Sequence, residues 1–185
     1  MTIALSHFAA RAGDHNDRAM QASPLLASAL AARLAVRPTV IGEPQPASPS
    51  SWDRELALAL PALRQMAARY DQVMTDKRVP VTALSRCAVA LATLPIVAKH
   101  RPDAVVLWFD AHADLNTPES SSTCYLGGLA LSGPLGLWES GLGAGLAESN
   151  AILVRPRYRP AGARPHPRGS CRARACRAEH SRSAP

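Results

Sequence analysis

The sequence predicts an α/β fold with three layers, α/β/α, in which a mostly parallel β-sheet lies between two layers of helices. Short apolar runs rich in β-branched residues alternate with longer stretches whose apolar residues recur at helical spacing. Consecutive parallel strands need a long crossover, usually a helix, so this alternation is typical of a parallel sheet. The runs that predict strands are 38–42, 79–83, 104–109 and 150–154.

The first 20 residues predict a polar loop rather than a strand or helix. Asp14, His15 and Asp17 lie in this loop and are candidate metal ligands by residue type alone. A solvated turn is the favoured interpretation of these side chains, because no predicted strand positions them.

The first two predicted helices follow hydroxyl residues that can cap a helix N-terminus. Ser23 is the expected N-cap of the first helix, and Pro24 is then its first helical residue. Ser51 is the expected N-cap of a second helix over 52–74. Pro61 is expected to kink this second helix or divide it in two.

The second half of the chain predicts a helix of small residues, a buried strand and a short helix. The helix at 88–99 ends in basic residues that suit the helix dipole, so we expect His100 on the surface. The run at 104–109 is apolar throughout, which predicts a buried strand. A short helix is expected over 127–133.

An Asp-x-His-x-Asp pattern directly follows the apolar run at 104–109. In an extended backbone alternate side chains share a face, so Asp110, His112 and Asp114 are expected to point the same way. Two carboxylates and an imidazole suit a divalent cation such as Mn²⁺, Fe²⁺ or Zn²⁺. Parallel sheets bind ligands at the carboxyl ends of their strands, which favours a metal site over a helix-capping loop.

The segment DAHADLNTP, residues 110–118, resembles the metal-binding signature of the ureohydrolase superfamily of arginases, agmatinases and formimidoylglutamases. The resemblance extends over about residues 38–154. Segments similar to the family on either side of the signature are 80–95, 125–137 and 151–154. It implies an arginase-like fold that is incomplete here, since members of the family are considerably longer.

The resemblance implies hydrolysis of a C–N bond in a small guanidino or amidino molecule, with release of urea or a relative. Two Mn²⁺ ions in this family bind the hydroxide that attacks the substrate carbon. Asp110 would bridge the ions, His112 would bind one ion and Asp114 the other. Asn116 and Thr123 would contact the substrate. Whether the substrate resembles arginine or agmatine stays open.

The sequence departs from the family pattern in three places. Cys87 stands where the family has its first histidine ligand, and a thiolate suits Zn²⁺ or Fe²⁺ better than Mn²⁺. Gly127 stands where arginases have a proton-transferring histidine. No second Asp-x-Asp pair follows Asp114. These departures predict impaired activity, with two ions, one ion or none bound, and leave a catalytically inactive remnant as the alternative.

The chain changes character at residue 155. Residues 155–185 hold nine arginines and one glutamate and contain no Val, Ile, Leu, Met, Phe or Trp. We therefore expect residues 1–154 to form the N-terminal portion of an arginase-like α/β domain and 155–185 to be a disordered tail. A nucleic-acid-binding arm is the less favoured interpretation of this tail. A frameshift near codon 155 is the favoured hypothesis, which sequencing of the locus tests.

The chain shows no N-terminal signal segment and no apolar stretch long enough for a membrane span, which predicts a cytoplasmic protein without a membrane partner. A homo-oligomer is left open. Part of a sheet leaves an apolar edge uncovered, which predicts poor solubility.

Overall fold

The computed structural model describes residues 2–154. The predicted tail, with its alternative role as a nucleic-acid-binding arm, lies outside the described residues. The strands are β1 (Ile3–Phe8), β2 (Thr39–Ile41), β3 (Val79–Ala83), β4 (Val106–Phe109) and β5 (Ala151–Val154). The α-helices are α1 (Arg18–Leu34), α2 (Trp52–Thr75) and α3 (Ala90–His100), and short 3₁₀ turns cover Cys87–Val89, Leu126–Leu129 and Glu148–Asn150.

The strands form two parallel sheets. The first has the order β2-β1-β3 and the second pairs β4 with β5. Parallel strands joined through helices confirm the predicted α/β class. Within residues 2–154, no helix has the length and apolarity needed to cross a membrane.

The central strand β1 shows that the predicted polar loop at the N-terminus was wrong. Leu5 and Phe8 are fully buried, and the polar residues between them, Ser6 and His7, are buried as well. The strand pairs with a neighbour on each side, so both of its edges are covered. Its two buried polar residues hid the apolar pattern that would have predicted it.

Ser23 lies inside helix α1 rather than at its N-cap, because the helix already begins at Arg18. Pro24 has no N–H to donate to the carbonyl of Met20, four residues earlier. The Ser23 hydroxyl takes over this role and donates to the Met20 carbonyl oxygen at 3.1 Å. Its oxygen also lies 3.0 Å from His7 Nε2 on β1.

Helix α2 supplies much of the core and continues through Pro61 without division. Its residues Leu63 and Met66 are fully buried in one apolar cluster with Phe8 of β1. Ser51 occupies the predicted N-cap position, although its side chain makes no capping hydrogen bond.

From β3 onward, the main differences from prediction are 3₁₀ turns where α-helix was expected. Strand β3 has the predicted bounds, whereas α3 is preceded by a 3₁₀ turn at Cys87–Val89. The predicted helix at 127–133 is instead a single 3₁₀ turn, Leu126–Leu129. His100 is partly buried rather than on the surface, because its Nε2 lies 2.8 Å from Asp71 on α2.

Strand β4 is partly buried on one face and exposed on the other, so the prediction of a buried strand was wrong. Leu107 and Phe109 are 55% and 75% exposed, and Ile152 of β5 is 49% exposed beside them. The opposite face, with Val106 and Trp108, packs against buried residues that include Leu131. The described part of the chain therefore presents an open apolar face on its second sheet.

We expect the double substitution Leu107→Lys and Phe109→Lys to reduce self-association, because it places two charges on this open face. Sedimentation velocity on the full chain should show a larger monomer fraction than in the wild type. The matched control is Leu25→Lys on α1, which changes a leucine that is 73% exposed but lies outside β4 and β5. An equal gain from this control would mean that added charge alone, rather than the β4 face, governs association.

Candidate metal centre

The signature residues lie in a bent loop that begins where β4 ends, at Phe109. The predicted extended backbone over these residues was therefore wrong, and with it the reason to expect the three side chains on one face. The Asp110 carboxylate accepts a hydrogen bond from the backbone N–H of His112 at 2.9 Å and closes a tight turn. His112 Nδ1 lies 3.3 Å from the same carboxylate oxygen, and the imidazole is 81% exposed.

Asp114 is the buried member of the signature. Its backbone is left-handed, with φ +50°, and its carbonyl accepts hydrogen bonds from Leu131 and Ser132. Its side chain is buried, and among the described residues Oδ2 has no hydrogen-bond partner. Such a group costs free energy unless something binds it.

The ionisable groups of the loop affect one another. Burial raises the pKa of the Asp114 carboxyl; the nearby Asp110 charge raises it further, whereas the Cys87 thiol and His112 lower it. Asp110, His112 and Cys87 therefore all lie within electrostatic reach of Asp114.

Cys87 begins the 3₁₀ turn between β3 and α3. Its thiol donates to the Gly127 carbonyl oxygen at 3.5 Å, so this loop touches the one that follows the signature. Burial raises the pKa of the Cys87 thiol far above its ordinary value, and the negative charges of Asp114 and Asp110 raise it further. The thiol is therefore protonated at neutral pH and must lose its proton before it can act as a metal ligand.

These residues fit one side of a cation site. Two carboxylates and an imidazole are suitable donors, and the unpaired Asp114 Oδ2 is an oxygen that a cation would satisfy. Within residues 2–154, however, no three His, Cys, Asp or Glu side chains are grouped closely enough to hold a metal ion. The described donors thus form part of a site rather than a closed one.

The predicted substrate-contacting residues are both exposed at the surface of the same loop. The backbone N–H of Asn116 donates to the Gly128 carbonyl at 3.0 Å, and Thr123 Oγ1 accepts from the backbone N–H of Tyr125 at 3.4 Å. The side chain of Asn116 also lies against Gly128, where a Cβ would come within 3.2 Å of its Nδ2. These contacts anchor the loop and leave both residues accessible to solvent.

Tyr125 occupies the space beside Gly127. A Cβ at Gly127 would come within 2.4 Å of the Tyr125 ring, so no larger residue fits here without moving the ring. Burial, followed by the charge of Cys87, raises the pKa of Tyr125 to about 12. The phenol is therefore neutral at physiological pH, and its ring packs against Gly127.

Asp14 is a residue of this region whose setting the sequence did not predict. The expected solvated turn was wrong, because the Asp14 side chain is fully buried. Its carboxylate accepts hydrogen bonds from the backbone N–H of Ala12 at 2.9 Å and from Arg86 Nε at 3.0 Å. Arg86 directly precedes Cys87, so this ion pair holds the loop that carries the thiol.

Glu55, in the first turn of α2, is a second buried carboxylate, and its position in the sequence did not predict its place beside this site. Its Oε2 accepts the backbone N–H of Leu126 at 3.0 Å, and its Oε1 accepts that of Ser50 at 3.1 Å. His15 Nε2 lies 2.5 Å from Oε1, and the His15 ring packs edge-on against Tyr125. His15, 41% exposed, is thus held by a carboxylate rather than free in a turn.

Comparison with known proteins gives a consistent match. The model of the Arginase family matches residues 29–164. The N(omega)-hydroxy-L-arginine amidinohydrolase of Streptomyces lavendulae is 41% identical over 162 residues, which cover 80% of this chain and 58% of that protein. The arginase of Bacillus caldovelox is 37% identical over 83 residues, which cover 45% of this chain and 28% of that protein.

Solved structures agree on the fold. The crystal structure of arginase from Bacillus subtilis superimposes with a TM-score of 0.71 at 24% identity, over 88% of this chain and 58% of that one. This likeness confirms the predicted arginase-like α/β architecture and its partial extent. The chain thus spans little more than half the length of the Streptomyces and B. subtilis proteins.

Proposed function

The chain belongs to the Arginase family, and from this premise we propose that the loop after β4 forms part of a metal centre that hydrolyses a guanidino C–N bond. Asp110, His112 and Asp114 would hold the metal. The observation that carries the proposal is the buried Asp114 Oδ2, which has no partner in the described residues and lies beside the other two donors.

We propose Mn²⁺ as the metal, because hard carboxylate oxygens and a neutral imidazole are among its suitable donors. A bound pair of such ions would polarise the substrate and lower the pKa of a water molecule. Cys87 is a weaker candidate ligand, because its thiol is protonated and donates to the Gly127 carbonyl.

The proposed substrate is a small molecule with a guanidino group, such as arginine or its N-hydroxy derivative. The Streptomyces relative is named for N(omega)-hydroxy-L-arginine, and it matches more of this chain than the Bacillus caldovelox arginase does. Asn116 and Thr123 would contact the end of the substrate remote from the guanidine, because both are exposed on the loop that carries the metal donors. The cytoplasmic location, the domain boundary at residue 154 and a homo-oligomeric state stay predictions.

A second candidate function is a non-catalytic protein of the same fold that binds one ion weakly. The high exposure of His112 favours it, as does the lack of a closed group of three donors within residues 2–154.

Metal content and product formation separate the two candidates. The full chain is dialysed against Mn²⁺, its bound metal is counted by mass spectrometry, and it is then incubated with arginine and with N-hydroxyarginine. Ornithine formation with two ions per chain supports the hydrolase. One ion or none, without ornithine, supports the non-catalytic candidate.

We expect His112→Ala to weaken Mn²⁺ binding by about 10-fold or more, because removing a ligand should cost at least as much as removing a group that supports one. His100→Ala is the matched control, because His100 also lies beside an aspartate but on α3, paired with Asp71. Titration calorimetry on both variants checks the prediction. Equal affinity in wild type and His112→Ala would remove His112 from the ligand set.

A further inference from the structure

Two loops meet beside Asp114, and a residue of each loop donates a hydrogen bond to a buried carboxylate. The loop before α3 carries Cys87, the loop after the signature carries Gly127, and the thiol–carbonyl hydrogen bond joins them. Asp14 holds the first loop through Arg86, and Glu55 holds the second through Leu126. Neither carboxylate is a proposed metal ligand.

Glu55 is surrounded by donors from three separate segments. These are the backbone N–H of Leu126, the backbone N–H of Ser50 and the ring of His15. Its side chain is 1% exposed, so these donors replace its water. A carboxylate so placed fixes the position of each segment relative to α2.

The N-terminal loop packs closely against the Glu55 carboxylate at Gly13. Gly13 has φ +77°, and a Cβ there would lie 3.1 Å from both Glu55 Oε2 and Leu126 Cβ. The hydrogen bond from Leu126 to Glu55 is therefore enclosed by neighbouring atoms, and a displaced Leu126 would disturb this loop as well. The adjacent residue Gly127 is the one that accepts the Cys87 thiol.

We propose that Glu55 is a positioning residue of the metal centre, which acts through Leu126 and Gly127 to hold Cys87 against Asp114. The effect on metal binding rests on the proposed function, whereas the effect on the Cys87 thiol does not. The two consequences can therefore be measured separately.

The test compares Glu55→Gln with Asp71→Asn in the full chain. Asp71 is a matched control, because it also lies on α2 and also contacts a histidine Nε2, but it pairs with Lys99 and His100 away from the signature loop. The first readout is the rate of Cys87 alkylation by iodoacetamide, followed by peptide mass spectrometry. The second is the Mn²⁺ dissociation constant.

We expect Glu55→Gln to raise the Cys87 alkylation rate by about 10-fold, because the amide cannot accept all of these donors and the loop opens more often. We expect the Mn²⁺ affinity to fall by about 10-fold, at the lower end of effects for groups behind metal ligands. Asp71→Asn should change neither quantity by more than about 2-fold, because exposed ion pairs contribute little.

A folded Glu55→Gln variant, judged by circular dichroism, with both quantities unchanged overturns the proposal. If the wild type binds no Mn²⁺, the proposed function fails and the alkylation rate alone decides the positioning role. If Glu55→Gln does not fold, Gly13→Ala replaces it, because its new Cβ presses on the same hydrogen bond. Unchanged Cys87 alkylation in folded Gly13→Ala then overturns the proposal, and an increase supports it.

Discussion

Asp114→Asn is expected to lower the affinity of the full chain for Mn²⁺ by about 100-fold, beyond most losses at groups that only support a ligand. Asparagine keeps the size of the side chain and tolerates the left-handed backbone at this position, so the loop keeps its shape. It removes the negative charge and one carboxylate oxygen. Titration calorimetry with Mn²⁺ measures the loss, with the exposed Asp103→Asn as control.

A stability measurement without metal shows whether this loss arises from unfolding. Because burial raises the pKa of the Asp114 carboxyl, its ionised form costs stability as the pH rises through that pKa, and the cost disappears at lower pH. Metal-free Asp114→Asn avoids this cost and should melt no lower than the metal-free wild type at pH 7. A much lower melting temperature would show that Asp114 supports the fold itself and would contradict the assignment as a ligand.

Phe8→Ala is expected to lower the free energy of unfolding by about 3–5 kcal/mol, the range for removing a buried aromatic side chain. Phe8 is fully buried at the end of β1 and belongs to the same apolar cluster as Leu63 and Met66 of α2. Removal of its ring therefore leaves a cavity where the first sheet packs on the helix. Urea denaturation followed by circular dichroism measures the change.

The control for this prediction is Leu25→Ala on α1, where the leucine is 73% exposed. Its effect should stay within about 0.5 kcal/mol, because surface substitutions away from special features cost little. A small effect of Phe8→Ala would mean that β1 is not the central strand of a packed sheet, and the assigned position of the N-terminal segment would then be wrong.

The sequence predicted those elements whose pattern is local. Strand β3 has the predicted bounds, because its mostly apolar and β-branched run begins just after the turn at 76–77. Strand β1 was missed, because its residues Ser6 and His7 are polar and break the apolar pattern of a strand. His7 can be buried because the fold brings the Ser23 hydroxyl to its ring. Asp14 was misjudged for the same reason, since its partner Arg86 lies 72 positions away.

The candidate site was predicted in composition but not in geometry. The residue types and spacing from Asp110 to Asp114 indicated a cation, and this much is visible in the chain itself. The turn closed by the Asp110 side chain is a result of folding and could not be read from the residue spacing. Glu55 could be placed near the first turn of a helix from the sequence, but its contacts with His15 and Leu126 arise only on folding.

The hydroxyl of Ser23 determines which nitrogen of the His7 ring carries the hydrogen. A hydroxyl has one proton, and here the Met20 carbonyl receives it, so the bond between Ser23 and His7 must use a proton from the imidazole. Burial lowers the pKa of His7, so the ring stays uncharged at neutral pH and carries its single hydrogen on Nε2. The missing N–H of Pro24 thereby selects one tautomer of a histidine on the adjacent strand, which nitrogen-15 chemical shifts report directly.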